Sequence, residues 1–201
     1  MGYLGDEITA LTAANIDIFH WDIMDGHFVP NISFGPMVMK ALRPLSDKIF
    51  DVHLMVSNPI QWIDSTADAG ADYISFHIEA VADPMIVIKK IKDHHIKAGI
   101  AINPDTTIDT IPDVVFSEIE RVIIMTVHPG FGGQKFIDQT MKIKALRARF
   151  PDLDIMIDGG VNLETAPLVI EAGATTLVTG SALFNAEDKH EFIAAIKGMA
   201  I

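Results

Sequence analysis

Seven short apolar runs, rich in β-branched residues, recur along the chain at residues 16–19, 49–52, 73–76, 98–102, 122–127, 155–157 and 175–178. Between them lie segments with helical spacing, among them 59–68, 84–94, 138–150 and 163–172. Strands that alternate with helices form βα units, and consecutive strands in such units lie parallel. Gly70 and Gly173 stand between a helical segment and the next run, at the left-handed position that follows a helix. The repeat interval predicts a (β/α)8 TIM barrel. A doubly wound open sheet is the alternative, but no Gly-x-Gly-x-x-Gly turn follows the first run. The count stops at seven, because a helix over residues 4–14 opens the chain with no strand ahead of it. The expected fold is therefore an α/β barrel, one domain over residues 1–201, lacking its first β-strand. Two sheet edges are then left unpaired, which favours self-association.

Composition narrows the function. With 201 residues, 49% of them hydrophobic, the chain can bury a large core. A net charge of -12 argues against nucleic acid as a partner, since phosphate backbones need a basic face. A small phosphorylated ligand stays possible, because backbone N–H groups alone can hold it. No apolar run is long enough to span a bilayer, so no membrane partner is expected. The first residues lack the basic and apolar regions of a signal peptide, and there is no cysteine; both fit a cytoplasmic protein.

Six of the seven strands are followed by, or end in, polar groups. These are His20 and Asp22, His53, His77 with Glu79, Asn103, His128, and Asp158. In a parallel barrel the C-terminal ends of all strands meet at one face, so these groups are expected to converge. Side chains alternate along a strand, which puts His20, Asp22 and Met24 on one face. His20, Asp22, His53 and Asp158 make a plausible two-His, two-Asp metal set. Mixed imidazole and carboxylate donors suit zinc, iron, manganese or cobalt. Glycine-rich segments follow late strands: Pro129-Gly130-Phe131-Gly132-Gly133-Gln134, Asp158-Gly159-Gly160 and Gly180-Ser181. Their position points to phosphate held by backbone N–H groups. Asp25 reads as a turn initiator, His94-His95 as a structural helix end, and the lysines and arginines as a solvated helix surface. No strand end carries a lysine for Schiff-base chemistry, and there is no Gly-x-Ser-x-Gly elbow or P-loop.

Several of these segments together resemble the ribulose-phosphate 3-epimerase family, almost end to end. They are His20-Trp21-Asp22-Ile23-Met24-Asp25-Gly26-His27-Phe28-Val29-Pro30-Asn31, Asp51-Val52-His53-Leu54-Met55-Val56, the stretch 125–136 containing Thr126-Val127-His128-Pro129-Gly130-Phe131-Gly132-Gly133-Gln134, Asp158-Gly159-Gly160-Val161, and Gly180-Ser181-Ala182. The resemblance implies one divalent metal on His20, Asp22, His53 and Asp158. It implies Asp22 as proton acceptor and Asp158 as proton donor in inversion at C3 of a pentulose phosphate, D-ribulose 5-phosphate to D-xylulose 5-phosphate. Substrate contacts are expected from His53, from Gly130, Phe131, Gly132, Gly133, Gly159, Gly160, Gly180 and Ser181 around the phosphate, and from Met24, Met55 and Met125 around the reacting carbon. It also implies a homo-oligomer, dimer or hexamer. The sister allulose-6-phosphate 3-epimerases share much of the pattern, and the intact Gly-Phe-Gly-Gly favours the pentose enzyme. A barrel that binds phosphate without catalysis is the reading from another class. The family begins with a strand carrying a substrate-contacting serine, absent here, so the expectation is a sequence that starts late.

Overall fold

The computed structural model describes residues 2–199. Its elements run α1 (Leu4–Ala13), β1 (Ile18–Met24), α2 (Pro36–Leu42), β2 (Ile49–Met55), α3 (Ile63–Asp68), β3 (Tyr73–His77), α4 (Pro84–Asp93), β4 (Lys97–Ile102), α5 (Asp113–Ser117), β5 (Arg121–Met125), α6 (Thr140–Arg149), β6 (Asp154–Asp158), α7 (Ala166–Ala172), β7 (Thr176–Val178), α8 (Ser181–Phe184) and α9 (Lys189–Met199), with short 3-10 turns between some of them. All strand pairs are parallel and the order is β1 through β7 without a crossover. The sheet curls into a nearly closed TIM-like barrel. Residues of β2 and β5 meet inside it, where Arg121 Nη1 donates to Asp51 Oδ1 at 2.7 Å. Among the described residues β1 and β7 are not paired with each other. Across that opening α9 reaches back to the start of the chain: Lys189 Nζ donates to Glu7 at 2.6 Å, and Lys197 Nζ to the Asn15 carbonyl and Asp17 at 2.7 and 2.8 Å.

All seven expected strands and the helix ahead of them are present. Pairing of β1 continues past the apolar run through Asp22↔His53 to Met24↔Met55, so His20, Asp22 and Met24 share one strand face, as expected. Polar side chains are tolerated there because the inward face of the barrel supplies them with partners, described below. The outward faces of the strands bury Phe19, Trp21, Ile23, Phe50, Val52, Leu54, Ile74 and Phe76 under the helices, in a continuous apolar core.

The lumen is split. On the β4–β6 side it holds a small apolar cluster of Ala101, Ile123, Met125 and Met156. On the β1–β3 side it holds buried Asp51, His53, Ser75 and His77. Gly99 is required on β4, because a Cβ there would collide with Ser75 Oγ and come within 3.1 Å of the Arg121 carbonyl. Gly173 closes α7 at φ 113, as expected for the left-handed cap.

Candidate metal centre and active-site cavity

Arg121 corrects the reading of basic residues as solvated surface. It opens β5, is 2% exposed, and points inward. Its Nη1 donates to Asp51, its Nε and Nη2 to Asp154 at 2.8 and 2.7 Å, and its guanidinium lies 4.0 Å from the centroid of the Tyr73 ring. Asp51 in turn accepts at 2.6 Å from His20 Nδ1. Burial opposes ionisation of Asp51, but His20 and Arg121 outweigh it and hold its carboxyl below the usual carboxylate range. Asp51 is thus a charged acceptor, and it fixes the Nδ1 proton of His20.

That leaves His20 Nε2 without a hydrogen-bond partner and, in the neutral ring, as a lone pair free for a cation. The atom is buried. It faces Asp22 Oδ1 at 3.3 Å and Asp158 Oδ2 at 3.9 Å. His53 Nδ1 faces the same two oxygens, at 3.2 and 3.6 Å. One donor atom from each of His20, Asp22, His53 and Asp158 lies within 4.8 Å of all the others. The structure thus brings together the four residues singled out in the sequence.

Two carboxylates this close need positive charge beside them. Without an ion, the imidazoles must provide it. Burial works against a charged His20 and His53, but the Asp22, Asp51 and Asp158 carboxylates around them raise both above the ordinary imidazole value. Burial likewise opposes ionisation of Asp22, and the two imidazoles more than offset it, holding its carboxyl well below the usual range. A divalent cation supplies the same charge directly. The unpartnered His20 Nε2 and the mixed nitrogen and oxygen donors fit such an ion.

Over the cluster opens a cavity of about 620 Å³, lined by Asp22, Met24, Met55, Met125, Asp158 and the three glycine-rich segments. Every expected phosphate-side residue is on its wall: Gly130, Phe131, Gly132, Gly133, Gly159, Gly160, Gly180 and Ser181. Gly159 tolerates no side chain. Its φ is 114, and a Cβ would run into Val127. His53 lies one layer below the cavity wall. It is completely buried beneath the cavity, with its second nitrogen against His77. His128 does not converge on the cluster; its side chain is 59% exposed, with Asp105 at 3.8 Å.

The loop after β1 is pinned from several sides. Ser33 Oγ donates to the Asp22 carbonyl at 2.5 Å and accepts from Met24 N. Asp25 does more than start a turn. One oxygen accepts from the His27 and Phe28 N–H groups, and the other from Ser57 N and Oγ on the neighbouring loop. Asn31 Nδ2 donates to the Gly130 carbonyl at 2.6 Å, tying this loop to the glycine-rich one. Sequence reasoning missed Ser33, Asn31 and the roles of Asp51 and Arg121. Only for Asp51 was there a signal, since it sits two residues before His53 on the same strand face.

A parallel βα barrel whose strand ends gather two histidines and two aspartates beneath a glycine-lined cavity defines a class: small-molecule barrel proteins with a metal-ready centre. The chain belongs to the ribulose-phosphate 3 epimerase family, whose model it matches over residues 1–184. It is 47% identical over 201 residues to the ribulose-phosphate 3-epimerase of Bacillus subtilis (strain 168), covering 97% of this chain and 92% of that protein. It is 44% identical over 192 residues to that of Methanocaldococcus jannaschii, covering 93% and 81%. Solved structures with the same fold include a 3-hexulose-6-phosphate synthase at TM-score 0.73 and 20% identity, covering 98% of this chain and 93% of that one. KGPDC from Streptococcus mutans matches at TM-score 0.73 and 18% identity, covering 96% and 90%. No helix among the described residues is long and apolar enough to cross a membrane.

Proposed function

We propose that the protein is a metal-dependent epimerase that interconverts D-ribulose 5-phosphate and D-xylulose 5-phosphate through a cis-enediolate. The observation that carries this reading is the position of Asp22 and Asp158, which come from β1 and β6 and both reach the donor cluster and the cavity wall. Inverting a carbon beside a ketone needs a base on one face and an acid on the other. Asp22 removes the C3 proton and Asp158 returns one to the opposite face. Held by His20, Asp22, His53 and Asp158, a divalent ion (zinc, iron, manganese or cobalt) supplies Lewis-acid stabilisation of the negative charge that develops. Met24, Met55 and Met125 keep water from the reacting carbon, which strengthens those electrostatic effects. Backbone N–H groups of Gly130, Gly132, Gly133, Gly160, Gly180 and Ser181 hold the phosphate, with Phe131 and Gly159 shaping its pocket. His53 serves the ion and, through it, the sugar.

The whole chain acts as one barrel domain in this reading, in the cytoplasm. It self-associates as a dimer or hexamer, supported by exposed Ile32 and Met37. The test is turnover after chelation and reloading with each of the four metals, on D-ribulose 5-phosphate and D-allulose 6-phosphate in parallel. Faster turnover of the pentulose is expected. Preference for the hexulose would transfer the protein to the sister activity, and no turnover with any metal would leave a phosphate-binding barrel. Asp22→Asn should abolish exchange of the C3 proton with solvent at least a hundredfold, and exchange at the normal rate would refute its role as base.

A further inference from the structure

His77 and Glu79 stand at the end of β3 and take no part in the chemistry above, yet they continue the donor cluster inward. His53 turns Nδ1 to the two aspartates and Nε2 to His77 Nε2, 2.9 Å away. His77 Nδ1 meets Glu79 Oε2 at 3.2 Å. The other oxygen of Glu79 accepts from the Asn103 backbone N–H at 2.9 Å and from Thr106 Oγ1 at 2.5 Å. His77 is fully buried, and the Phe28 ring covers it at a centroid distance of 4.6 Å, so no solvent reaches either of its nitrogens.

We propose that Glu79, acting through His77, sets which nitrogen of His53 carries a proton, and so presents His53 Nδ1 as the lone pair that binds the divalent ion. The argument is one of donors and acceptors. Two nitrogens 2.9 Å apart share a single proton. A carboxylate can only accept, so His77 must carry its proton on Nδ1. His77 Nε2 is then an acceptor, and His53 Nε2 must be the donor facing it. A neutral His53 with its proton on Nε2 has a free Nδ1, the atom that faces Asp22 and Asp158. The inference rests on the metal-holding part of the proposed function and not on the sugar or the reaction.

Glu79→Gln tests it, because the structure dictates how the amide must sit. The Asn103 N–H can only donate, so the amide oxygen stays against it and the NH2 group turns to His77. His77 then moves its proton to Nε2, His53 loses its donor role on that side, and its proton is driven to Nδ1, against the ion. Two readouts are needed, neither of which involves substrate. The first is the tautomer of His77, from ¹⁵N chemical shifts of its ring nitrogens in the unmodified protein and in the variant. The second is affinity for zinc, by competition with a chromophoric chelator. The expected result is a proton on Nδ1 of His77 in the unmodified protein and on Nε2 in Glu79→Gln, with zinc affinity down about 10–100-fold. A His77 proton on Nε2 in the unmodified protein overturns the proposal even if the variant fails to fold. So does an affinity loss without the tautomer switch, which would mark Glu79 as merely structural, or a switch that leaves affinity unchanged. An inactive protein with this tautomer pattern and zinc response would sink the epimerase reading and leave the relay standing.

Discussion

Asp51→Asn should cost this fold more than any other isosteric change of a charged side chain near the centre. Asp51 is 0% exposed and is held between Arg121 Nη1 at 2.7 Å and His20 Nδ1 at 2.6 Å. The amide can satisfy only one of these donors. If its oxygen accepts from His20, its NH2 group is pressed against the guanidinium; if it turns, His20 loses its acceptor. Breaking a buried ion pair by removing one partner costs about 3–5 kcal/mol. Arg121 keeps Asp154, so the lower end, about 3 kcal/mol, applies. For a chain of this size that is a fall in Tm of about 6–12 °C. The assay is thermal unfolding followed by near-UV circular dichroism, run on the metal-free protein so that ion binding does not contribute. A fall of less than about 2 °C would refute the account of Asp51 as the charged link between barrel floor and metal centre.

Two further outcomes follow from the local geometry. Gly159→Ala places a methyl group in Val127 at φ 114, so a loss of about 2–4 kcal/mol is expected from combined backbone strain and overpacking, together with impaired turnover because Asp158 is its neighbour; an unchanged urea midpoint would contradict the crowding. Burial disfavours Asp25 as an anion, but the N–H groups of Ser57, Phe28 and His27 together outweigh this and hold its carboxyl well below the usual range. A lowered pKa gives stability that is fully present above about pH 4 and is lost as pH falls further towards the folded value. Asp25→Asn lacks that contribution at neutral pH, so its urea midpoint should decline less between pH 4 and 2.5 than that of the unmodified protein; equal declines would show that the loop clamp does not depend on charge.

The strands were legible because each outward face is apolar and β-branched, as at Phe19, Ile23, Val52 and Ile74. Their ends were less so. A run of hydrophobic letters stops at His20, whereas the β-ladder continues to Met24, because the partners that make a lumen polar group tolerable belong to other strands. The four donors could be named from sequence since each follows or ends an apolar run. Arg121 could not. Its partners Asp51 and Asp154 are 70 and 33 positions away, and nothing local distinguishes it from Arg147 and Arg149 of α6. His128 shows the converse: the same local signal as His53, but a loop that carries it outward into solvent.

A divalent ion at the proposed centre would have a mechanical effect as well as a chemical one. His20 and Asp22 sit on β1, His53 on β2 and Asp158 on β6, so the four donors come from strands far apart in the chain. A cation shared by these side chains would tie the first strands of the sheet to one of the last. Free metal at a hundred times its dissociation constant would then add about 2.7 kcal/mol to stability, making the barrel sturdiest when it is loaded for work.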